Sequence, residues 1–424
     1  MATNVIKISD KVATVAAEIF HDVAVVPANS DRSLEDEFKG SEKIGDTVRK
    51  KVPSRYEAQT GNSRGTANDI KQETRVLTLD QNKFIKLDLT SQELAVFTGT
   101  DAKAMKELLL QPVSNLARQT DLYMFDLMAK KGGNRAVLAT AANGFTNKDA
   151  GKLNAMLNAQ LAPGMETRYI AVGAEDMETA VDSNKELFNA QGEIAKQYSE
   201  GIVARGQGFS KWLNSQSLFT ITIGTAFSSA GDKIEINAYS YAAGATTLVL
   251  KAVDSTVNGK TIKAGQAISV AGVYQIDPET LTAIPRLAPI IAQADATFGT
   301  DGLCSLTVVG MYAKANNITL ANVSALPASG ADVTVLENLT GATSGKIARV
   351  VTAWNKKAVM FATMDLPTQL AGAEASKWTV DGLTIRYISQ YDASTNADSK
   401  IVDIQFGGMV IRPEWIATAV GLYA

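Results

Sequence analysis

Two segments of this chain, residues 45–52 (Gly-Asp-Thr-Val-Arg-Lys-Lys-Val) and 73–79 (Glu-Thr-Arg-Val-Leu-Thr-Leu), read as β-strands with nothing of their own to bury. Between them lies the turn-prone run Thr60-Gly61-Asn62-Ser63-Arg64-Gly65-Thr66. A two-stranded ribbon is marginal in water by itself. The segment is therefore either a solvated loop or a loop that extends over another subunit. From Lys39 to Arg75, nine basic residues stand against five acidic ones, a local surplus of +4.

The rarest residues exclude the most chemistry. The 424 residues contain one histidine, His21, and one cysteine, Cys304. A Ser-His-Asp triad would have to use His21, inside a stretch dense in Ala and Val, and a His/Cys zinc site needs three or four such ligands. An intramolecular disulfide is impossible with one thiol, which fits a reducing compartment. Cys304, within Leu303-Cys304-Ser305-Leu306, reads as a small buried hydrophobe. The acids Glu175 and Asp176 occupy neighbouring helix positions, point apart, and read as caps or solvated groups. Gly206-x-Gly208 lacks a third glycine and is not followed by Gly-Lys-Ser/Thr, so no phosphate loop is expected. No catalytic, cofactor-binding or metal-binding residue is assigned.

Charge and targeting point the same way. A formal net charge of −3 supplies no global field for sequence-independent nucleic-acid binding. The first residues lack a basic region followed by an apolar one, and no run of 18 apolar residues occurs, so the chain is expected to stay soluble and off membranes. The Asn-x-Ser/Thr triplets at Asn317, Asn322 and Asn338 carry no functional weight in such a chain.

Periodicity organises the rest. Residues 10–26 place Val12, Val15, Ala16 and Ile19 on one helical face, with Asp10 to cap and Pro27 to stop the helix. Such an arm must dock on its own body or on a neighbour to persist. The spacing of Val113, Leu116, Thr120, Met124, Leu127 and Met128 predicts a long helix that starts at Pro112 and ends at Lys131, with Gly132-Gly133 as a left-handed stop. Residues 150–218 read as α/β, with helices near 149–161, 175–184 and 189–198 and a strand over 168–172. Short Thr-, Val- and Gly-rich runs follow from 220 to 342. Strands over 233–236, 246–250, 267–270, 306–309 and 333–336 predict a small antiparallel barrel or sandwich. Because α/β character returns after Lys346, that module reads as inserted into a host domain, and residues 400–411 read as a closing hairpin. The fold class is α+β.

This order of elements resembles the major capsid (coat) proteins of short-tailed double-stranded DNA bacteriophages: the Hong Kong ninety-seven fold with an inserted β-barrel, in the P-twenty-two-like and Shigella-phage subgroup. The carrying segments are Leu110-Gln111-Pro112-Val113 and Lys131-Gly132-Gly133-Asn134 around the long helix, and Gly208-Phe209-Ser210-Lys211-Trp212-Leu213-Asn214-Ser215 before the β-module. A third is the stretch 261–273, with Gly265-Gln266 where the family has Gly-Asp.

The resemblance implies an N-terminal arm (1–38), an extended loop (39–86), a peripheral domain with the spine helix (87–139), and an axial domain in two parts (140–219 and 346–395). It also implies an insertion domain (220–345) and C-terminal strands of the peripheral domain (396–424). A non-enzymatic subunit is implied, one that assembles with itself as pentamers and hexamers into an icosahedral head around the genome. The implied partners are a separate scaffolding protein, a portal protein and packaged double-stranded DNA held by non-specific contact. The implied location is the virion capsid, assembled in the bacterial host cytoplasm. Inter-subunit contacts would fall to Arg49, Lys50, Lys51, Arg55 and Arg64 on the extended loop. Contacts between capsomers would fall to Asp232, Lys233 and Glu235, and a scaffold contact to Glu18. The alternative is another phage structural subunit, a tail or decoration protein whose β-rich middle is its interaction module.

Overall fold

A computed structural model of the chain describes residues 8–38, 47–58, 72–90, 102–138, 144–183, 206–225, 233–237, 241–254, 257–337, 345–370, 372–380, 383–394 and 397–422. The helices are α1 (Ile8–Val23), α2 (Ala102–Lys131), α3 (Asn147–Ala159) and α4 (Ala174–Asp182). The first strands are β1 (Thr47–Val52), β2 (Glu73–Thr78), β3 (Gln81–Thr90), β4 (Asn134–Val137), β5 (Arg168–Val172), β6 (Lys211–Asn214) and β7 (Thr220–Thr222). A run of short strands follows: β8 (Ile234–Ile236), β9 (Thr247–Ala252), β10 (Thr261–Ile262), β11 (Ala267–Val270), β12 (Tyr274–Ile276) and β13 (Ala283–Leu287). It continues through β14 (Ile290–Ile291), β15 (Ala296–Thr297), β16 (Leu303–Thr307) and β17 (Asp332–Val335). The last are β18 (Ile347–Asn355), β19 (Val359–Thr363), β20 (Glu374–Val380), β21 (Leu383–Asp392), β22 (Ala397–Val410) and β23 (Ile416–Leu422). β1 and β2 pair as a two-stranded ribbon.

The chain forms two compact units. One comprises Met1–Lys50, Arg75–Met124 and Val359–Met409; the other comprises Lys51–Thr74, Phe125–Ala358 and Val410–Ala424.

The first unit is built on a sheet of order β19-β22-β21-β20, with β3 also paired to β22. Its central strand corrects one expectation. Residues 400–411 are no hairpin but part of the single 14-residue strand β22, which pairs antiparallel with β21 and β3. Gly407 does not turn the chain there. A Cβ on it would lie 3.0 Å from the Leu79 Cα, so the glycine admits another backbone. The arm helix starts two residues earlier and ends three earlier than its pattern predicts, and it packs on β20 and β21 of its own body. Val12, Ala16, Ile19 and Phe20 are buried as the i, i+4, i+7 spacing requires. Phe406 ties the core, with its ring 5.5 Å from Tyr123 and 5.8 Å from Phe361.

The long helix α2 runs for 30 residues, about 45 Å at 1.5 Å per residue, and Pro112 lies inside it rather than at its start. The upstream run Ala-Lys-Ala-Met-Lys-Glu-Leu-Leu-Leu consists of strong helix formers. That propensity, together with the buried Leu109, Val113 and Leu116, carries the helix through the missing N–H of Pro112. The left-handed stop also fails, since neither Gly132 nor Gly133 has positive φ. Instead the Gly133 N–H donates to the Pro413 carbonyl at 2.7 Å, and a Cβ on Gly133 would sit 2.9 Å from that same oxygen. The glycines are required by close packing.

In the second unit, a mixed sheet of order β4-β23-β18-β5-β6 has parallel pairs at β23/β4 and β5/β6 and antiparallel pairs about β18. Leu153 and Leu157 of α3 and Met177 of α4 share its core with Ile170, Val172, Trp212 and Val351. The strand over 168–172 falls where the sequence places it. Helix α3 begins at Asn147, two residues before the expected start, because Thr146 and Asp149 form a reciprocal capping box there. The helix expected at 189–198 lies outside the described residues.

The β-rich module has a six-stranded antiparallel sheet, β14-β11-β17-β8-β9-β16, closing over Ile234, Leu248, Leu250, Ile268, Val270 and Val333. Strand β11 matches its predicted limits, while the one predicted over 306–309 is β16, at 303–307. The burial pattern of β16 explains the slip: Cys304 and Leu306 face inward and alternate with Ser305 and Thr307, so Cys304 serves as a core hydrophobe.

Candidate assembly surfaces

Of the predicted contact residues, Glu18, Arg49, Lys50, Lys51, Arg55, Lys233 and Glu235 are among the described residues. On the arm, Glu18 is exposed while its neighbours Ala17 and Ile19 are buried. The arm's exit from α1 is fastened by a residue that sequence reasoning passed over. Asp121 of α2 is 2% exposed, and its carboxylate accepts the Val25 N–H at 2.9 Å and the Val26 N–H at 2.9 Å. Burial pushes this carboxyl up to about 7, although the two N–H groups pull the other way.

The ribbon residues divide. Arg49 and Lys51 are exposed on β1. Lys50, between them, points to the opposite face and bridges Asp31 at 3.1 Å and Ser33 at 2.8 Å. Burial raises the Asp31 carboxyl, but the Lys50 ammonium and the Ser33 N–H outweigh it and hold it below its ordinary value. Arg55 is engaged within its own chain, donating to the Ala321 carbonyl at 2.5 Å and to Glu414 at 3.0 Å. Arg64 lies outside the described residues.

In the β-rich module, Lys233 reaches Glu235 at 2.9 Å and Asp332 at 3.3 Å, and hydrogen bonds to these two carboxylates raise its pKa. The three form a solvent-facing cluster across the paired strands β8 and β17, where Asp332 is the register partner of Glu235. Asp232 lies outside the described residues.

The module is joined to the neighbouring helix end and sheet by buried polar contacts. Arg135 and Glu337 are both fully buried, with Nε 3.5 Å from Oε1. Arg135 also donates to the Gly265 carbonyl at 2.6 Å, and Glu337 accepts the Ala267 N–H at 2.7 Å. Burial lowers the Arg135 pKa and raises that of Glu337, and their mutual attraction opposes both shifts. Gln275 donates to the Gly133 carbonyl and to Asn134, both at 3.0 Å, and Gln293 donates to the Lys130 carbonyl at 2.7 Å. No periodicity marks a buried Arg or Glu, so the only signal available was a charge in an apolar run, Ala-Val after Arg135 and Val-Leu before Glu337.

Among the described residues no group of three or more His, Cys, Asp or Glu side chains could hold a metal ion, and no helix is long and apolar enough to cross a membrane. The described residues comprise an arm helix, a two-stranded ribbon, a β-rich module and mixed α+β sheets. The family model described as P22 coat protein, gene protein 5, matches residues 1–422, and the chain belongs to that family. It is a structural major capsid protein of the virion, a subunit of the icosahedral shell.

No curated protein matches the sequence. Among solved structures, the chain is similar to that of Mycobacterium phage Che8, with 13% identity, TM-score 0.45, and coverage of 93% of this chain and 90% of that one. It is also similar to the capsid structure of the cyanophage P-SCSP1u, at 13% identity and TM-score 0.42, covering 90% and 84%. A third is the asymmetric unit of the bacteriophage PhiM1 mature capsid, at 11% identity and TM-score 0.42, covering 93% and 86%. The family match sets aside the alternative of a tail or decoration subunit.

Proposed function

We propose that this coat protein assembles as pentamers and hexamers around double-stranded DNA, in the bacterial host cytoplasm, on a separate scaffolding protein and with a portal at one vertex. It does so without catalysis or cofactor. The observation that carries this reading is the family match over residues 1–422, together with a paired ribbon, β1 and β2, that is too small to be stable alone. A net charge of −3 lets many copies sit side by side without strong self-repulsion. Many weak polar contacts then sum by multivalency into a shell that can correct its errors. DNA is held by non-specific contact, since counterions neutralise most of its charge.

Within this reading, residues 1–38 are the arm, 39–86 the extended loop, 87–139 and 396–424 the peripheral domain, 140–219 and 346–395 the axial domain, and 220–345 the insertion domain. Arg49, Lys50, Lys51, Arg55 and Arg64 face a neighbouring subunit, Lys50 and Arg55 from positions where they also bond within their own chain. Asp232, Lys233 and Glu235 meet another capsomer, and Glu18 meets a basic scaffolding segment. The supporting features are the exposure of Arg49, Lys51 and Glu18 and the solvent-facing position of Lys233. The test is negative-stain electron microscopy and sedimentation velocity of the chain with and without the scaffolding protein of its phage. Uniform closed shells only with scaffold are expected, and Glu18→Lys shells should contain less scaffold. Unchanged scaffold incorporation in that variant would remove Glu18 from the contact.

A further inference from the structure

Arg55 is held within its own chain by the Ala321 carbonyl and Glu414, and it is not alone. The Lys314 ammonium lies 2.5 Å from Oε1 of Glu57. On the returning strand, the Asn317 amide donates to Oε1 of Glu73 at 2.9 Å. Arg55, Glu57 and Glu73 thus flank residues 59–71 on both sides, and the groups that hold them, Lys314, Asn317 and the Ala321 carbonyl, come from one short segment of the β-rich module.

That segment is already shaped to receive them. Its ends are paired by a bridge between Ala313 and Val323, and the N–H groups of Asn316 and Asn317 both return to the Ala313 carbonyl. Asn317 is fixed from its other end, because Oδ1 accepts the N–H groups of Thr319 and Leu320 at 3.1 and 3.2 Å. Only the Nδ2 side is then turned to Glu73. Asn322 similarly accepts the Tyr312 N–H at 2.8 Å. Arg55 is gripped from a second direction by Glu414, which Arg412 also meets at 3.3 Å while stacking 4.3 Å over the Trp415 ring. A rigid receptor of this kind costs little entropy when it engages a ribbon that cannot order itself.

We propose that residues 313–323 of the β-rich module brace the ribbon, setting its course before a neighbouring subunit is met, so that the inserted module acts in assembly as the mount of the extended loop. The proposal rests on the capsid reading for its consequence in shells, and on intramolecular geometry alone for the brace itself. The contacts are polar and partly solvated, so the brace is salt-sensitive and reversible.

The test uses the full chain with Glu57→Lys, Lys314→Glu, the double exchange, and Arg55→Ala. Hydrogen exchange of residues 51–58 and 73–78 in the unassembled subunit reads the brace. Each single charge reversal is expected to speed exchange there by roughly two- to fivefold, the size of a partly exposed ion pair, and 1 M salt to do the same to the wild type. The double exchange should return it to the wild-type rate, which a folding defect in either single variant would not. In scaffold-assisted assembly the single variants should give fewer closed shells and the double exchange should restore them. Unchanged exchange in all variants would overturn the brace. Faster or fuller assembly on loosening would overturn its role as a mount, since the contact would then be holding the ribbon back. A wild-type chain that forms no shells would instead strike the capsid reading and leave the exchange result to judge the brace.

Discussion

Replacing Asp121 by Asn should change how the stability of this protein depends on pH. The carboxyl is 2% exposed and accepts two successive backbone N–H groups at the end of the arm. Burial outweighs those bonds and raises its pKa from 3.8 to about 7. The folded chain therefore holds the Asp121 proton more tightly than the unfolded chain does. The stabilisation this gives is complete below about pH 4 and is lost as pH rises through about 7. At about 1.4 kcal/mol per pH unit, the difference between pH 4 and pH 8 comes to roughly 4 kcal/mol. Asn keeps an acceptor for the arm and carries no proton. Urea unfolding of the unassembled subunit, followed by circular dichroism from pH 4.5 to 8, gives both stabilities, and subtracting them cancels every other titrating group. The wild type minus Asp121→Asn difference should fall by several kcal/mol as pH rises. A difference that stays flat, or that grows with pH, would refute the assignment of a desolvated carboxyl.

Three further outcomes follow from the contacts described. Arg135→Met leaves Glu337 buried without its partner and should cost about 3–5 kcal/mol in urea unfolding at pH 8. The loss should shrink in acid, where Glu337 takes up a proton, and a cost that is equal at both pH values would count against the pair. Gly133→Ala pushes a methyl group against the Pro413 carbonyl, so the variant should lose about 1–3 kcal/mol, whereas a neutral result would show that the helix end can shift. The Cys304 thiol, raised to about 11 by burial, should react with a disulfide reagent at pH 8 at least tenfold more slowly in the native chain than in urea, and equal rates would place it at the surface.

The parts of the fold that were legible are those where burial follows a local period. The arm helix, the strand over 168–172 and β11 carry their own 3.6- or 2-residue signatures. The misplaced limits of the long helix and the strand read as a hairpin share a cause in glycine and proline. Pro112, Gly132 and Gly133 read as local punctuation, but they, like Gly407, are placed by tertiary neighbours: a helix strong enough to run through proline, and backbones that approach where a Cβ would not fit. The exposure of residues such as Arg49 and Glu18 could be anticipated from charge alone, since a charged side chain on a strand or amphipathic helix defaults to the surface. The intramolecular bonds of Arg55 could not. Its partners Ala321 and Glu414 are 266 and 359 residues away in sequence, and nothing local distinguishes it from Lys51. Buried charges such as Asp121, Arg135 and Glu337 are the hardest of all, because they run against the hydrophobic pattern on which the reading depends.

Cryo-electron microscopy of particles formed from this chain and the scaffolding protein of its phage tests the central claim most directly. The account predicts a closed icosahedral wall made of repeated copies of the chain, with the ribbon of each lying on the next subunit and residues 55–57 still seated on residues 314–321 of their own. A wall built of some other protein, with this chain absent or bound only to its outer surface, would contradict it.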